Sequence, residues 1–109
     1  MITKNPRMYD SFVEVDGVKL NVDPINRRRT DKSDNVMAIF QEEQPVMWQF
    51  TKPYVANAIS QGEGTLDFLD VGTGSGIWSL LMRKHFPTAS VLAIDKSPRA
   101  VTEAKKNAT

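Results

Sequence analysis

The sequence contains no cysteine, which excludes disulfide bonds and thiolate metal sites from this chain. A single histidine and scattered carboxylates argue against a metal centre built from protein ligands. No apolar run approaches the length of a membrane span, and the first residues lack the apolar region of a signal peptide. The 14 basic and 13 acidic residues almost cancel, so charge gives no case for a dedicated nucleic-acid or membrane binder. A cytoplasmic protein of one modest domain is the default expectation.

The segment SFVEVDGVKLNV predicts a β-hairpin, because Asp16-Gly17 is a strong two-residue turn signal. The turn sets a register with three facing pairs: Val15 and Val18, Val13 and Leu20, and Glu14 and Lys19. One face of the hairpin is then apolar and includes Val22, while the other carries an opposite-charge pair. We expect the apolar face to be buried.

Three consecutive arginines, Arg27 to Arg29, lie in the polar segment DPINRRRTDKSDN. Such a cluster suits an RNA or phosphate contact. Asp23, Asp31 and Asp34 dilute its charge, however, and only a sustained basic patch is informative. A solvated loop is the favoured interpretation, and the role of the cluster stays open.

A helical pattern covers the aromatic-rich segment from Val36 to Ser60. Its apolar positions make one stripe with two residues beside it: Met47, Phe50, Tyr54 and Ala58, with Val55 and Ile59. We expect this stripe to belong to the core rather than to line a substrate pocket. Pro53 should break or kink the helix unless Thr51 caps a new one, and Gly62 should end it.

From Leu66 onward the pattern predicts strand, glycine loop, helix, strand, acidic residue and helix. TLDFLDV and SVLAID are apolar on both faces, as expected for parallel strands that helices cover on both sides. GIWSLLMRKHF is the first helix, with His85 in a structural or exposed position in its last turn. SPRAVTEAKKNA is the second helix, capped by Ser97. This order indicates an α/β fold, a partial Rossmann-like doubly wound sheet preceded by a β-hairpin and helices.

The stretch DVGTGSGIW places Gly72, Gly74 and Gly76 directly after the first strand of this unit. Such folds bind ligands beyond the carboxyl ends of their strands, so a side chain at either of the first two glycines is expected to collide with a cofactor. No lysine follows as in a P-loop, and Ile77 stands where a dinucleotide fingerprint requires glycine. The carboxylate of Asp70 would repel an anion above the loop but not a cationic ligand.

At these residues the chain resembles the class I S-adenosylmethionine-dependent methyltransferases. LDFLDVGTGSG is similar to their first motif and VLAIDKSP to their second, and the spacing from Gly76 to Asp95 also fits. SPRAVTEAKKNA is similar to the next helix in enzymes that methylate amino groups of release factors or nucleic acid. The resemblance divides the chain into a hairpin and polar loop region, residues 1–44, and the N-terminal part of a methyltransferase cofactor-binding domain, residues 45–109.

The resemblance implies an enzyme that uses S-adenosylmethionine, with a set of cofactor contacts: Asp70, Gly72, Thr73, Gly74, Gly76, Asp95 and Lys96. Asp95 would accept hydrogen bonds from both ribose hydroxyls, and Asp70 would attract the ammonium end of the cofactor. The alternative is structural, with Asp70 capping the glycine turn and Asp95 capping the next helix. The joint occurrence of both acids at this spacing favours cofactor binding. The methyl acceptor stays unknown, and no catalytic residue can be assigned.

A complete domain of this family has seven strands, so we expect this chain to be its N-terminal part and to be inactive without the substrate half. Two other interpretations remain: a non-catalytic remnant that acts through protein–protein association, and a nicotinamide-dependent oxidoreductase domain, which Asp70 and Ile77 disfavour. The strand at residues 66–71 would lack a neighbour on one side. Either the N-terminal hairpin or a second copy of the chain would cover that edge, and the second copy would make a homo-oligomer.

Overall fold

The computed structural model describes residues 12–23, 43–62 and 66–109. The elements in chain order are strands β1 (Phe12–Val15) and β2 (Val18–Asn21), helix α1 (Glu43–Gln61), strand β3 (Asp67–Val71), helix α2 (Ile77–His85), strand β4 (Ser90–Ile94) and helix α3 (Pro98–Asn107). Strands β1 and β2 form an antiparallel hairpin, and β3 and β4 form a parallel pair. The predicted partial Rossmann-like unit is therefore confirmed as β3-α2-β4-α3.

None of the helices in these three ranges is long and apolar enough to cross a membrane. The cytoplasmic location stays a prediction. The Arg27–Arg29 cluster lies outside the described residues.

The hairpin has the predicted turn and the predicted register. Asp16 and Gly17 have φ angles of 45° and 82°, the left-handed conformations that a tight hairpin turn of this kind requires. Val13 lies opposite Leu20, and the other facing pairs also match. The apolar face is buried as expected, with five core residues: Val13, Val15, Val18, Leu20 and Val22.

The hydrophobic core lies where this hairpin face meets α1 and α2. Trp48 of α1 and Leu81 of α2 are each only 1% exposed. The ring of Trp48 makes edge contacts with Trp78 and Phe86, at centroid distances of 5.9 and 6.2 Å. Residues from both predicted regions, 1–44 and 45–109, thus share one core, and the division between them stays a prediction.

Helix α1 turns a different face to the core from the one that the sequence predicted. Met47, Phe50 and Tyr54 are 54%, 69% and 79% exposed, so their assignment to the core was wrong. Trp48 and Val55, seven residues apart, form the buried side instead. Trp48 decides the orientation because its indole carries the largest apolar area on the helix, and burying it turns the predicted stripe toward solvent.

Helix α1 is continuous through Pro53, and the expected break is not found. Proline removes one backbone donor, and the carbonyl it would have bonded belongs to Gln49. Both residues lie on the exposed side of the helix, where water can satisfy that carbonyl. The helix ends where predicted, and the N–H of Gly62 donates to the carbonyl of Ala58 at 3.0 Å.

The β3–β4 pair is covered on one face only, within the part of the chain that the structure describes. Phe68 and Val91 pack against the core on the covered face. The opposite face presents four exposed apolar side chains: Leu69, Val71, Leu92 and Ile94. The hairpin packs on the helices and does not pair with β3, so its proposed role as cover for that edge was wrong. The apolar face of the hairpin packs against α1 and α2 instead.

Asp16 ties the hairpin turn to both α1 and α2. Its carboxylate accepts hydrogen bonds from Trp48 Nε1 at 2.8 Å and from Lys52 Nζ at 2.9 Å. His85 Nε2 lies 2.8 Å from the Asp16 carbonyl oxygen and 3.2 Å from its carboxylate. The hydrogen bond from Trp48 outweighs the effect of burial and, with the hydrogen bond from Lys52, lowers the pKa of Asp16 to about 2. His85 therefore has the structural position expected of it.

We expect acid to destabilise the fold through Asp16. Its pKa is lowered from 3.8 to about 2 in the folded state, so the charged carboxylate stabilises the fold above pH 3.8. That contribution, about 1–2 kcal/mol for a partly exposed group, is lost as the pH falls from 3.8 toward 2. Urea denaturation of the wild type and Asp16→Asn should show a stability gap at neutral pH that narrows in acid. A gap that is independent of pH would contradict this assignment.

Candidate cofactor-binding site

The glycine loop, residues 72–76, runs from the end of β3 over the end of β4. The N–H groups of Gly72 and Thr73 both donate to the carbonyl of Ile94, at 2.8 and 3.0 Å. The N–H of Gly76 then donates to the Thr73 carbonyl at 2.9 Å and closes the turn. These bonds bring the loop to the same edge of the sheet as Asp95, which directly follows β4.

All three loop glycines have left-handed backbone conformations, with φ angles of 72° at Gly72, 56° at Gly74 and 90° at Gly76. A Cβ at either of the first two would meet no other described atom within 4 Å, so the space above them is open to a ligand. The expected collision with a cofactor there stays a prediction. A Cβ at Gly76 would lie 3.2 Å from Cβ of Ala104, because α3 packs directly on the loop. The third glycine therefore serves the fold itself.

Substituting the glycines separates these two roles. We expect Gly72→Ala to cost about 1 kcal/mol of folding stability, because the alanine would be strained in the left-handed conformation but would meet no neighbouring atom. Gly76→Ala should cost at least about twice as much, since the new methyl group also crowds Ala104. Chemical denaturation measures both values. Equal losses at the two positions would show that α3 does not constrain the loop at Gly76.

Asp95 joins the glycine loop to the start of α3. Its Oδ2 accepts a hydrogen bond from the N–H of Gly74 at 2.9 Å, and its Oδ1 accepts one from the N–H of Ser97 at 2.9 Å. Ser97 in turn caps the helix, its Oγ accepting from the N–H of Ala100 at 3.3 Å. The structural role considered for Asp95 is thus present. A carboxylate has about four acceptor positions, so these two bonds leave capacity for two further donors.

Asp70 joins the loop to the first turn of α2. Its Oδ2 accepts hydrogen bonds from Thr73 Oγ1 at 2.8 Å and from Ser79 Oγ at 2.7 Å. The negative charge lies beside the N-terminus of α2, where the helix dipole favours an anion. Asp70 thus supports the loop through two hydroxyl groups, and the capping role considered for it stays a prediction. Ser79 was not predicted from the sequence, although a hydroxyl in the first turn of a helix that follows an acidic strand end was an available signal.

An open hollow of about 580 Å³ lies at this edge of the sheet, a volume typical of small-molecule sites. It is lined by Val71, Gly72, Ile94, Asp95 and Lys96. Its walls are mainly apolar and include the carboxylate of Asp95 and the exposed ammonium group of Lys96.

The predicted cofactor residues divide by position into two groups. Gly72, Asp95 and Lys96 line the hollow, and Gly74 is bonded to Asp95. The remaining three hold the loop in place from within the fold: Asp70, Thr73 and Gly76. The structure brings all seven to one edge of the sheet, and their contacts with a cofactor stay predictions.

The fold and this loop define a Rossmann-like unit, and comparison with known proteins shows which proteins it resembles. Residues 68–109 match the family described as methyltransferase domain. Over 43 residues the chain is 51% identical to the release factor glutamine methyltransferase of Flavobacterium psychrophilum. The matched stretch is 39% of this chain and 15% of that protein. Over 30 residues it is 50% identical to methyltransferase str3 of Strobilurus tenacellus, covering 28% of this chain and 11% of that protein.

No solved structure gives a significant match. The resemblance to S-adenosylmethionine-dependent methyltransferases is confirmed for residues 68–109, the segment that holds the glycine loop and Asp95. The chain spans only 15% and 11% of the lengths of these two relatives. The activity and acceptor of the whole protein are therefore matters of proposal.

Proposed function

We propose that the site binds S-adenosylmethionine and that the protein transfers its methyl group. One observation carries the proposal: the carboxylate of Asp95 is held at the end of β4 beside a glycine loop whose outer side is open. Its two remaining acceptor positions suit the paired hydroxyls of a ribose. When bound, the cofactor supplies an electrophilic methyl group on a sulfonium sulfur.

Each part of the loop would have a separate task in this site. The N–H groups of Gly74 and Ser97 orient the Asp95 carboxylate, so that no rearrangement is needed when the hydroxyls arrive. The apolar side chains of Val71 and Ile94 would cover the non-polar surface of the cofactor. Asp70 supports the loop and adds negative charge that favours a cation nearby.

The same charges argue against a nicotinamide dinucleotide. Two carboxylates, Asp70 and Asp95, are bonded to the loop, so a pyrophosphate bound there would meet repulsion. Ile77 occupies the position at which the dinucleotide fingerprint has glycine, and it is buried in the core. A net positive ligand is the better electrostatic match.

For the acceptor, we propose a nitrogen of a protein or nucleic acid. The support is the relative named as a release factor glutamine methyltransferase, which is 51% identical to the chain over 43 residues. Methyl transfer depends on aligning acceptor, methyl group and sulfur, and none of the described residues is assigned to that alignment. We therefore name no catalytic base.

Calorimetry with S-adenosylhomocysteine, adenosine and NAD tests the choice of ligand. The product S-adenosylhomocysteine should bind most tightly, because it also presents the ammonium group. Adenosine, which keeps the ribose hydroxyls, should bind more weakly, and NAD weakest. Tight NAD binding without detectable S-adenosylhomocysteine binding would overturn the proposal.

A second proposal, association between copies of the chain, is favoured by the uncovered sheet face. Leu69 and Leu92, neighbours across β3 and β4, are 61% and 62% exposed, and exposed apolar patches mark association surfaces. Light scattering at micromolar concentration should show a dimer or larger species, and Leu69→Lys should shift it toward monomer. A wild-type monomer with a cooperative thermal transition would contradict the proposal.

A further inference from the structure

We propose that Asn107, a residue at the end of α3 that is hydrogen-bonded to the N-terminal hairpin, positions the cofactor loop. The hairpin lies outside residues 68–109, the segment that matches a methyltransferase domain. The hairpin is nevertheless linked to the loop through the side chain of Asn107. The inference deepens the proposed function and rests on it where cofactor affinity is concerned.

Asn107 bridges the hairpin and the loop with three hydrogen bonds. Its Oδ1 accepts from the backbone N–H of Asn21 at 2.8 Å, and its Nδ2 donates to the Asn21 carbonyl at 3.0 Å. The same Nδ2 donates to the carbonyl of Ser75 at 2.8 Å. Both donor positions of the amide are therefore used, one on β2 and one on the glycine loop.

The contact with Ser75 acts on a buried carbonyl group of the loop. Ser75 is only 3% exposed, so its carbonyl has little access to water and depends on Asn107 for a partner. Fixing that carbonyl fixes the peptide group between Ser75 and Gly76. Gly74, on the other side of Ser75, donates to Asp95, so a shift of this peptide would also disturb the proposed ribose acceptor.

The hairpin holds α3 at a second place, which provides a control. In the first turn of α3, Arg99 pairs with Asp23 through two bonds, at 2.6 and 2.8 Å. This ion pair joins the hairpin to the helix, and neither of its two bonds involves the glycine loop. A variant that weakens it loosens the attachment of the hairpin and leaves the bond from Asn107 to Ser75 intact.

The test compares Asn107→Ala with Asp23→Asn in the whole chain. Alanine is the strongest helix former, so α3 should persist in the first variant. Asn107→Ala should weaken S-adenosylhomocysteine binding about tenfold, the size expected for a buried carbonyl left without a donor. Asp23→Asn should change it less than about twofold, since it leaves that carbonyl bonded.

Amide hydrogen exchange provides a readout that needs no cofactor. In Asn107→Ala the exchange of the Gly76 amide should accelerate relative to that of Leu81 in the core, whereas a general loss of stability would accelerate both alike. In Asp23→Asn the ratio of the two rates should stay at the wild-type value.

Four outcomes decide the proposal. Selective acceleration at Gly76 together with the selective loss of affinity supports it. Selective acceleration in a protein that binds no S-adenosylhomocysteine supports the positioning role and refutes the proposed function. Equal effects of Asn107→Ala and Asp23→Asn on affinity, or exchange at Gly76 that follows Leu81, would overturn the positioning role of Asn107.

Discussion

Replacing Asp95 by alanine should weaken S-adenosylhomocysteine binding about 100-fold, or about 2.7 kcal/mol. The variant removes the acceptor proposed for two ribose hydroxyls. It also frees the N–H groups of Gly74 and Ser97, so the loop loses its orientation together with its charge. Calorimetry with the cofactor product gives the affinity, and a denaturation curve of the same sample gives the folded fraction.

Ser97→Ala is the matched control for the Asp95 variant. It removes the hydroxyl that caps α3 and should cost about 1 kcal/mol of stability. The carboxylate of Asp95 and the backbone N–H of residue 97 both remain, so affinity should stay within about threefold of the wild type. A loss of affinity in Ser97→Ala as large as in Asp95→Ala would mean that the acid acts only through the fold.

Trp48→Ala should destabilise the protein by about 3–5 kcal/mol, the largest effect on folding that we expect. The side chain is 1% exposed and packs against Trp78 and Phe86. Its loss also removes the hydrogen bond to Asp16 that joins α1 to the hairpin turn. Chemical denaturation measures the change directly.

Tyr54→Ala is the control on the same helix. Tyr54 is 79% exposed, so its truncation should change stability by less than about 0.5 kcal/mol. The sequence pattern alone placed Tyr54 in the core stripe, so the two variants test which face of α1 is buried. A larger loss for Tyr54→Ala than for Trp48→Ala would restore the predicted stripe.

The hairpin and the βαβ unit could be predicted because their signals are local. The turn at Asp16-Gly17 sets the register of its two strands by itself, and the alternation of apolar residues sets the buried face. Gly72 and Gly74 likewise predict a loop with positive φ angles at the end of a strand. Each of these features depends on neighbours a few residues away.

The orientation of α1 could not be predicted in this way. Met47, Phe50 and Tyr54 made as good an apolar stripe as Trp48 and Val55, and nothing local decides between the two faces. The choice depends on contacts across the chain: Trp48 is buried against α2 and bonds to Asp16, 32 residues earlier. A contact between residues so far apart leaves no periodic pattern in the sequence from which it could be predicted.

The same limit applies to the support of the loop. Asn107 and Asn21 are 86 residues apart, and an asparagine near the end of a helix usually faces solvent. Asn107 lies in the segment SPRAVTEAKKNA, but the resemblance gave it no role, and no motif marked Asn21. The residues predicted to contact the cofactor have a recognisable spacing, whereas the contact between Asn21 and Asn107 depends on how this hairpin packs on α3.

An NMR titration with S-adenosylhomocysteine tests the central claim, that the glycine loop and Asp95 form the cofactor site. The largest amide shifts are expected at Gly72, Gly74 and Lys96, which line or adjoin the hollow of about 580 Å³. The hairpin residue Lys19, on the exposed side of β2, should not shift. A second hollow lies between the hairpin turn and α1, lined by Asp16, Trp48, Gln49, Lys52 and Pro53. No shift in the loop, or the largest shifts around this second hollow, would contradict the account.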